Sequence, residues 1–408
     1  MPRTQMQAIS DYIYILNLEY LATAIPIKFS RLSSATPVRL GSSTHTVMPS
    51  IGPKAYGILI TAVFINTVLA SSGDRSPIFN NCVDLCTTDH CDIQQPVALP
   101  LALRLTRWSC ADDCRYSCMH DMASRDAERG SPAQQYYGKW PFWRFAGMQE
   151  PASVAFSLLN LWSHVLGARN VQKMIPTNHP MKAYYLVWSC VSINAWFWSS
   201  IFHTRGKSHT NLPLTNLIFT RLDLPSTEKL DYFSAALAIL YALYYTVIRL
   251  FHLYPHRPQA RLTISSNSLA KASLAKKIWS LLCVTAYLGH ISYLTLLPRF
   301  DYTYNMAFNL ILGLTHNVLW LIYSLPIPLI RRYPSQPKSY RPPFAINAAV
   351  FVVLTTGATS LELFDFPPWA GIIDAHALWH LSTAPIALFW YDFLVEDALD
   401  HSWRDHRV

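Results

Sequence analysis

Charge is scarce in this 408-residue chain: Asp, Glu, Lys and Arg make up 14% of it, against roughly 25% in soluble domains. The deficit is concentrated after residue 150 and excludes an ordinary water-soluble domain there. The clustered cysteines contain no C-x₂-C pair, which sets aside the common zinc ribbons. No Asn-x-Ser/Thr acceptor lies in the segment before residue 150, and no KDEL-type signal closes the chain, so neither locates it. The net charge of +9 comes without any nucleic-acid motif; no nucleic-acid partner is expected, and the basic residues carry topological information instead.

What is abundant is apolar sequence, 51% of the whole. Seven apolar stretches follow residue 150: Ala152 to Leu166, Ala183 to Phe202, Tyr232 to Leu253, Ile278 to Leu297, Met306 to Leu325, Ala345 to Leu363 and Ala375 to Phe393. Most reach the roughly 20 residues that cross a bilayer. The first is short and interrupted by Asn160 and His164. Basic residues cluster after the first stretch (Arg169, Lys173, Lys182), between the third and fourth (Arg249 to Lys277) and between the fifth and sixth (Arg331, Arg332, Lys338, Arg341). Placing these loops in the cytosol puts the segment before residue 150 in the lumen and the tail EDALDHSWRDHRV in the cytosol. The expected fold is an all-α membrane protein, a seven-transmembrane helix bundle preceded by a small disulfide-rich luminal domain.

Six of the eight cysteines, Cys82, Cys86, Cys91, Cys110, Cys114 and Cys118, fall in that luminal segment. Their spacing and oxidising side favour three disulfides over a metal knuckle, with the pairing open. Cys190 and Cys283, inside apolar stretches, read as small buried hydrophobes. Upstream, Lys54 precedes AYGILITAVFINTVLA and SSGDRSP, the pattern of a signal peptide cleaved after Ala70, with an uncleaved anchor as the competing reading. The expected division is therefore 1–47 as a gene-model extension before Met48, 48–70 as signal peptide, 71–149 as the cysteine-rich luminal segment, 150–395 as the seven-span domain and 396–408 as a cytosolic tail.

His376 and His380, four residues apart, share one helix face, and His203 ends an earlier apolar stretch. Taken one at a time, such residues are more often hydrogen-bonded core histidines. Inside a membrane, ionisable side chains are costly and line cavities or sites. The topology also brings Glu150, Asn160, Ser199, His203, Asp231, His376 and His380 to one face of the membrane. Three neutral imidazoles on Zn²⁺ leave a position for water, as metal-assisted hydrolysis requires. Asp231 is placed to orient or deprotonate that water, and Ser199, one turn before His203, to hydrogen-bond an oxyanion. Plainer roles stay open: Asp231 as a helix-start acid, Ser199 bonded to the Ala195 carbonyl.

The strings KWPFWRFAGMQEPASVAFSLLN, NAWFWSSIFHTR, TEKLDYFSA, FDYTYNMAFN, LELFDFPP and DAHALWHLSTAPIALFWYDF resemble the Per-like family of seven-span proteins that act on GPI anchors, within the CREST superfamily of membrane hydrolases. The likeness runs from about Gly73 to Phe393 and includes the six cysteines. It implies a phospholipase A2-like removal of the sn-2 acyl chain from the phosphatidylinositol of GPI-anchored proteins, in the membrane of the endoplasmic reticulum or Golgi. By the same resemblance the Ser-x₃-His motif falls on Ser199 and His203, the catalytic Asp on Asp231 and the His-x₃-His motif on His376 and His380, while Glu150 and Asn160 support the site. Protein partners beyond GPI-anchored substrates are left undefined. The other readings are a ceramidase-like amidase and a non-catalytic seven-span receptor or GPI-cargo binder with a structural zinc site. One departure stands out: 27 residues separate His203 from Asp231, and 206–222, GKSHTNLPLTNLIFTRL, looks like an insertion of retained intron sequence.

Overall fold

The C-x₃-C spacings, Cys82/Cys86 in one group and Cys110/Cys114/Cys118 in the other, each lie on one face of a helix. In the computed structural model, which describes residues 72–91, 98–205, 224–254 and 266–403, these faces meet. Helices α1 (Pro77–His90) and α3 (Cys110–Glu128) are joined by disulfides Cys82–Cys118, Cys86–Cys114 and Cys91–Cys110. The pairing is nested, as two antiparallel helices require, and it rules out the metal-knuckle alternative for these six residues. Between them lies the short α2 (Leu101–Leu105). Ser109 starts α3 with a capping box: its hydroxyl accepts from the Asp112 amide and the Asp112 carboxylate accepts from the Ser109 amide. Phe79, Met119 and Tyr136 close a small core around the Cys118 sulfur. The expected extension 1–47, the signal peptide 48–70 and the inserted segment 206–222 lie outside the described residues.

Seven long helices follow: α4 (Pro151–Met174), α5 (Lys182–Thr204), α6 (Leu224–Leu250), α7 (Ser266–Leu296), α8 (Tyr302–Ser324), α9 (Ala345–Leu363) and α10 (Ala375–Leu399). Six of them close a ring in which α4 packs on α5, α5 on α6, α6 on α8, α8 on α9, α9 on α10 and α10 back on α4, while α7 lies outside against α6. By length and composition α6, α7, α8 and α9 each carry a candidate membrane span. The three that fall short in hydropathy, α4, α5 and α10, bear the buried serines, asparagine and histidines of the cluster described below. Leu281, Leu282 and Leu288 of α7, Ile311 and Val318 of α8 and Val353 of α9 all point outward and are more than half exposed. Apolar surface of this extent is tolerable against lipid and not against water.

Several elements depart from expectation. Helix α4 runs to Met174, past the Leu166 limit drawn from hydropathy, because its polar residues face inward. Helix α7 begins at Ser266, well before the apolar stretch that starts at Ile278; Ala, Leu and Lys in SNSLAKASLAKK are strong helix formers. Cys190 is exposed rather than buried, although Cys283 is buried. Arg249, Arg332 and Lys182, which count as loop charges in the sequence, are buried at 0%, 1% and 6% exposure. Helix α10 continues beyond residue 395, and Asp397 and Trp403 are fully buried.

The disulfide domain is tied to the α9–α10 loop. The Trp143 amide donates to the Gly371 carbonyl at 2.8 Å, and Gln135 and Trp140 both donate to Asp365. Gly371 has φ +67°, and a Cβ there would sit 2.4 Å from the Trp143 ring, so the position requires glycine on both counts.

Candidate functional site

Alternating helix directions bring the start of α4, the end of α5, the start of α6, the end of α9 and the start of α10 to the same end of the bundle. Three imidazoles meet there: His376 Nε2 lies 3.3 Å from His203 Nε2 and 2.9 Å from His380 Nε2. Each ring is held from behind through Nδ1. His203 faces Glu150 Oε2 at 2.7 Å, His376 faces Glu362 Oε2 at 2.5 Å and His380 faces Ser157 Oγ at 2.9 Å. A carboxylate accepts only, so in the neutral rings of His203 and His376 the proton sits on Nδ1 and the Nε2 lone pairs turn toward one another. Lone pairs so close repel, and a cation among them converts the repulsion into three bonds. The three ligand atoms lie within 4.8 Å of one another, and the group can hold a metal ion. Carboxylate partners on the distal nitrogen are the arrangement that fixes tautomer and basicity in metal-ligating histidines. His203 and His380 are buried, whereas the His376 side chain is 32% exposed, so the cluster is open on the α10 side.

Glu150 is the hub of the outer layer. Its carboxylate pairs with Lys139 as well as with His203. Burial works against its negative charge, but Lys139 and His203 together more than offset that and hold its pKa well below the usual carboxylate range. The chain is aligned here by two backbone bonds, from the Gln149 amide to the Thr204 carbonyl at 2.9 Å and from the Glu150 amide to the His203 carbonyl at 3.1 Å. Lys139 also lies over the Phe202 ring at 4.4 Å.

Of the residues singled out in the sequence, Ser199 lies 3.1 Å, Oγ to Oγ, from Ser157, which links it to His380; the structure gives it this partner rather than the Ala195 carbonyl. Asn160 donates to the His380 carbonyl at 2.6 Å, which Thr383 also reaches. That carbonyl lies one residue before Leu381, whose own helical donor is removed by Pro385. Half-buried Asp231 lies within electrostatic reach of His376, Lys139 and Glu150 even though 206–222 precedes it. Six of the seven expected positions are therefore joined by hydrogen bonds or close ring contacts, and Asp231 reaches them through electrostatics alone. Sequence reasoning missed Ser157, Lys139 and Glu362. The sign of Ser157 was present: Ser153, Ser157, Asn160 and His164 recur at helical spacing and are buried together on α4. Lys139 comes from outside the apolar runs, where nothing local marks it, whereas Glu362 is the single charged residue of the sixth run, one position from its end.

The family model of the Per1-like family matches residues 100–398. A protein PER1 homolog of Schizosaccharomyces pombe is 38% identical over 83% of this chain and 90% of its own length. Two proteins named GPI-specific phospholipase A2-like PGAP3 are similar as well: that of Xenopus laevis at 38% identity over 81% of this chain and 92% of its own, and that of Homo sapiens at 34% over 81% and 90%. No solved structure matches the chain. With the match covering the disulfide helix α3 and every helix of the bundle, the chain belongs to the Per1-like family.

Proposed function

We propose that this protein remodels GPI anchors by hydrolysing the sn-2 acyl ester of their phosphatidylinositol, with a zinc ion held by His203, His376 and His380. The carrying observation is the convergence of three Nε2 atoms, each ring held through Nδ1 by Glu150, Glu362 or Ser157. The relatives named GPI-specific phospholipase A2-like supply the substrate class. In this reading all seven long helices span the membrane of the endoplasmic reticulum or Golgi, with the cluster and the disulfide domain in the lumen.

When bound, the ion supplies Lewis acidity, polarising an ester carbonyl and lowering the pKa of a water molecule. The chain's own residues do the rest. Asp231 takes a proton from the attacking water as its oxygen bonds to the carbonyl carbon. Ser199, turned from Ser157, donates to the oxyanion that develops. When the bond to the glycerol oxygen breaks, Asp231 returns the proton to that oxygen, leaving a free fatty acid and a lyso-lipid. The open side at His376 admits the ester, and the outward apolar helix faces keep the acyl chain in lipid.

The test is lipid mass spectrometry of GPI anchors from cells lacking the endogenous enzyme. Cells given this chain should yield the lyso-form or its remodelled product; those given His376→Ala should not, and Asp231→Asn should keep zinc while losing turnover. Deacylation by His376→Ala at the level of the unmutated chain would overturn the assignment.

A further inference from the structure

A second cavity shares a wall with the histidine cluster. It is a cleft between α3 and the end of α5, half open to solvent. Lys139 and Gln149 belong to both places: Lys139 reaches Glu150, which holds His203, and the Gln149 amide bonds to Thr204, one residue past His203.

Its charge is unbalanced in one direction. Arg115 and Arg205 both bond to the single carboxylate of Asp112, at 3.0 and 2.5 Å on opposite oxygens. Lys139 already has Glu150. Two guanidiniums on one carboxylate leave a net single positive charge, and a guanidinium offers five N–H donors of which these contacts use few. The unbalanced charge calls for one monoanion, and guanidinium forks match phosphate oxygens. Beside the two arginines stand the half-buried rings of Trp108 and Tyr116, which also carry the Arg144 guanidinium; against their remaining exposed surface the C–H face of a cyclic polyol can rest while its hydroxyls reach polar groups.

We infer that this cavity binds the headgroup of the lipid substrate, the guanidiniums of Arg115 and Arg205 taking its phosphodiester and the aromatic wall its cyclic polyol. A phosphodiester carries one negative charge, which completes the Arg–Asp–Arg arrangement. The inference rests on the proposed function for the identity of the lipid, because the glycerol joining phosphate to sn-2 ester is what would link this cavity to the histidines. It assigns specificity to the disulfide domain and chemistry to the bundle.

The experiment is isothermal titration of the purified full chain, in detergent, with glycerophosphoinositol, glycerophosphocholine and inorganic phosphate. Glycerophosphoinositol should bind the unmutated chain and His376→Ala alike, and should bind Arg115→Gln about tenfold more weakly, the loss expected for one charge-assisted hydrogen bond. Arg115→Lys keeps the charge without the fork and should fall between; an unchanged thermal midpoint in this variant shows that folding is not what is measured. Equal binding by Arg115→Gln and the unmutated chain, or no binding by the unmutated chain, overturns the inference. Phosphate binding as tightly as glycerophosphoinositol overturns the polyol assignment. Binding as expected in a chain that deacylates nothing upholds the headgroup site while sinking the hydrolase reading, so the two fail separately.

Discussion

In the proposed zinc site, Ser157 is the residue that would hold one histidine ligand from behind. Its hydroxyl is the Nδ1 partner of His380, the most buried of the three rings, and it also touches Ser199. In Ser157→Ala the ring would keep its place by packing against Trp196 and Trp379 but lose the bond that fixes its tautomer. Zinc affinity should fall by about 10- to 100-fold, the usual effect of deleting such a partner. Competition against a chelator would measure it, and an unchanged affinity would show that His380 needs no orienting group. The histidines were legible in the sequence because imidazoles are out of place in apolar runs. Ser157 was legible only as part of a polar face with Ser153, Asn160 and His164; its role behind His380 was not, because a serine in a membrane helix ordinarily satisfies itself on the carbonyl one turn back. Lys139 and Glu362 could be assigned only by tertiary contact, since their partners lie 11 and 14 residues away on other elements.

At the scale of helices, the site depends on how closely α4 and α10 approach. Gly167 on α4 makes this approach possible: a Cβ there would lie 2.0 Å from the Tyr391 ring of α10. The Tyr391 hydroxyl in turn bonds to His164 Nδ1 and Ser189 Oγ, each at 2.9 Å, tying α10 to α4 and α5. Gly167→Ala should therefore force the helices apart at a cost of about 1–3 kcal/mol, as overpacking does, even though alanine is the better helix former by itself. The expected result is a lower thermal midpoint together with weaker zinc binding, because His380 and Ser157 sit across the same α4–α10 interface. A midpoint that rises would mean helix propensity outweighs the clash. Helix existence was readable from the apolar runs. The nested pairing was not readable, because it depends on the two helices running antiparallel. Nor was the start of α7, where charge masked good helix formers.

Across the whole molecule, the two ends of the bundle hold opposite kinds of polar network. Opposite the histidine cluster, Arg249 of α6 and Asp397 of α10 form a two-pronged ion pair with both contacts at 2.7 Å and no exposed surface. Tyr323 and Tyr333 each donate to the same Asp397 oxygen at 2.9 Å, the third guanidinium nitrogen reaches the Arg332 carbonyl at 2.7 Å, and Trp403 covers the cation at 4.9 Å. In sequence these arginines look like loop charges that orient the protein; in the fold they join α6, α8, α10 and the 331–340 segment. Such a pair need not add net stability over an apolar one, but breaking it leaves a charge stranded at a cost of about 3–5 kcal/mol. Asp397→Asn should accordingly lower the thermal midpoint sharply, whereas Arg249→Met combined with Asp397→Leu should recover part of the loss because neither charge remains. Zinc content of the folded fraction should stay unchanged in both, since the network lies at the other end of α10 from His376 and His380. A double variant less stable than Asp397→Asn would mean that the network's satisfied hydrogen bonds, rather than the avoidance of a lone charge, hold this end together.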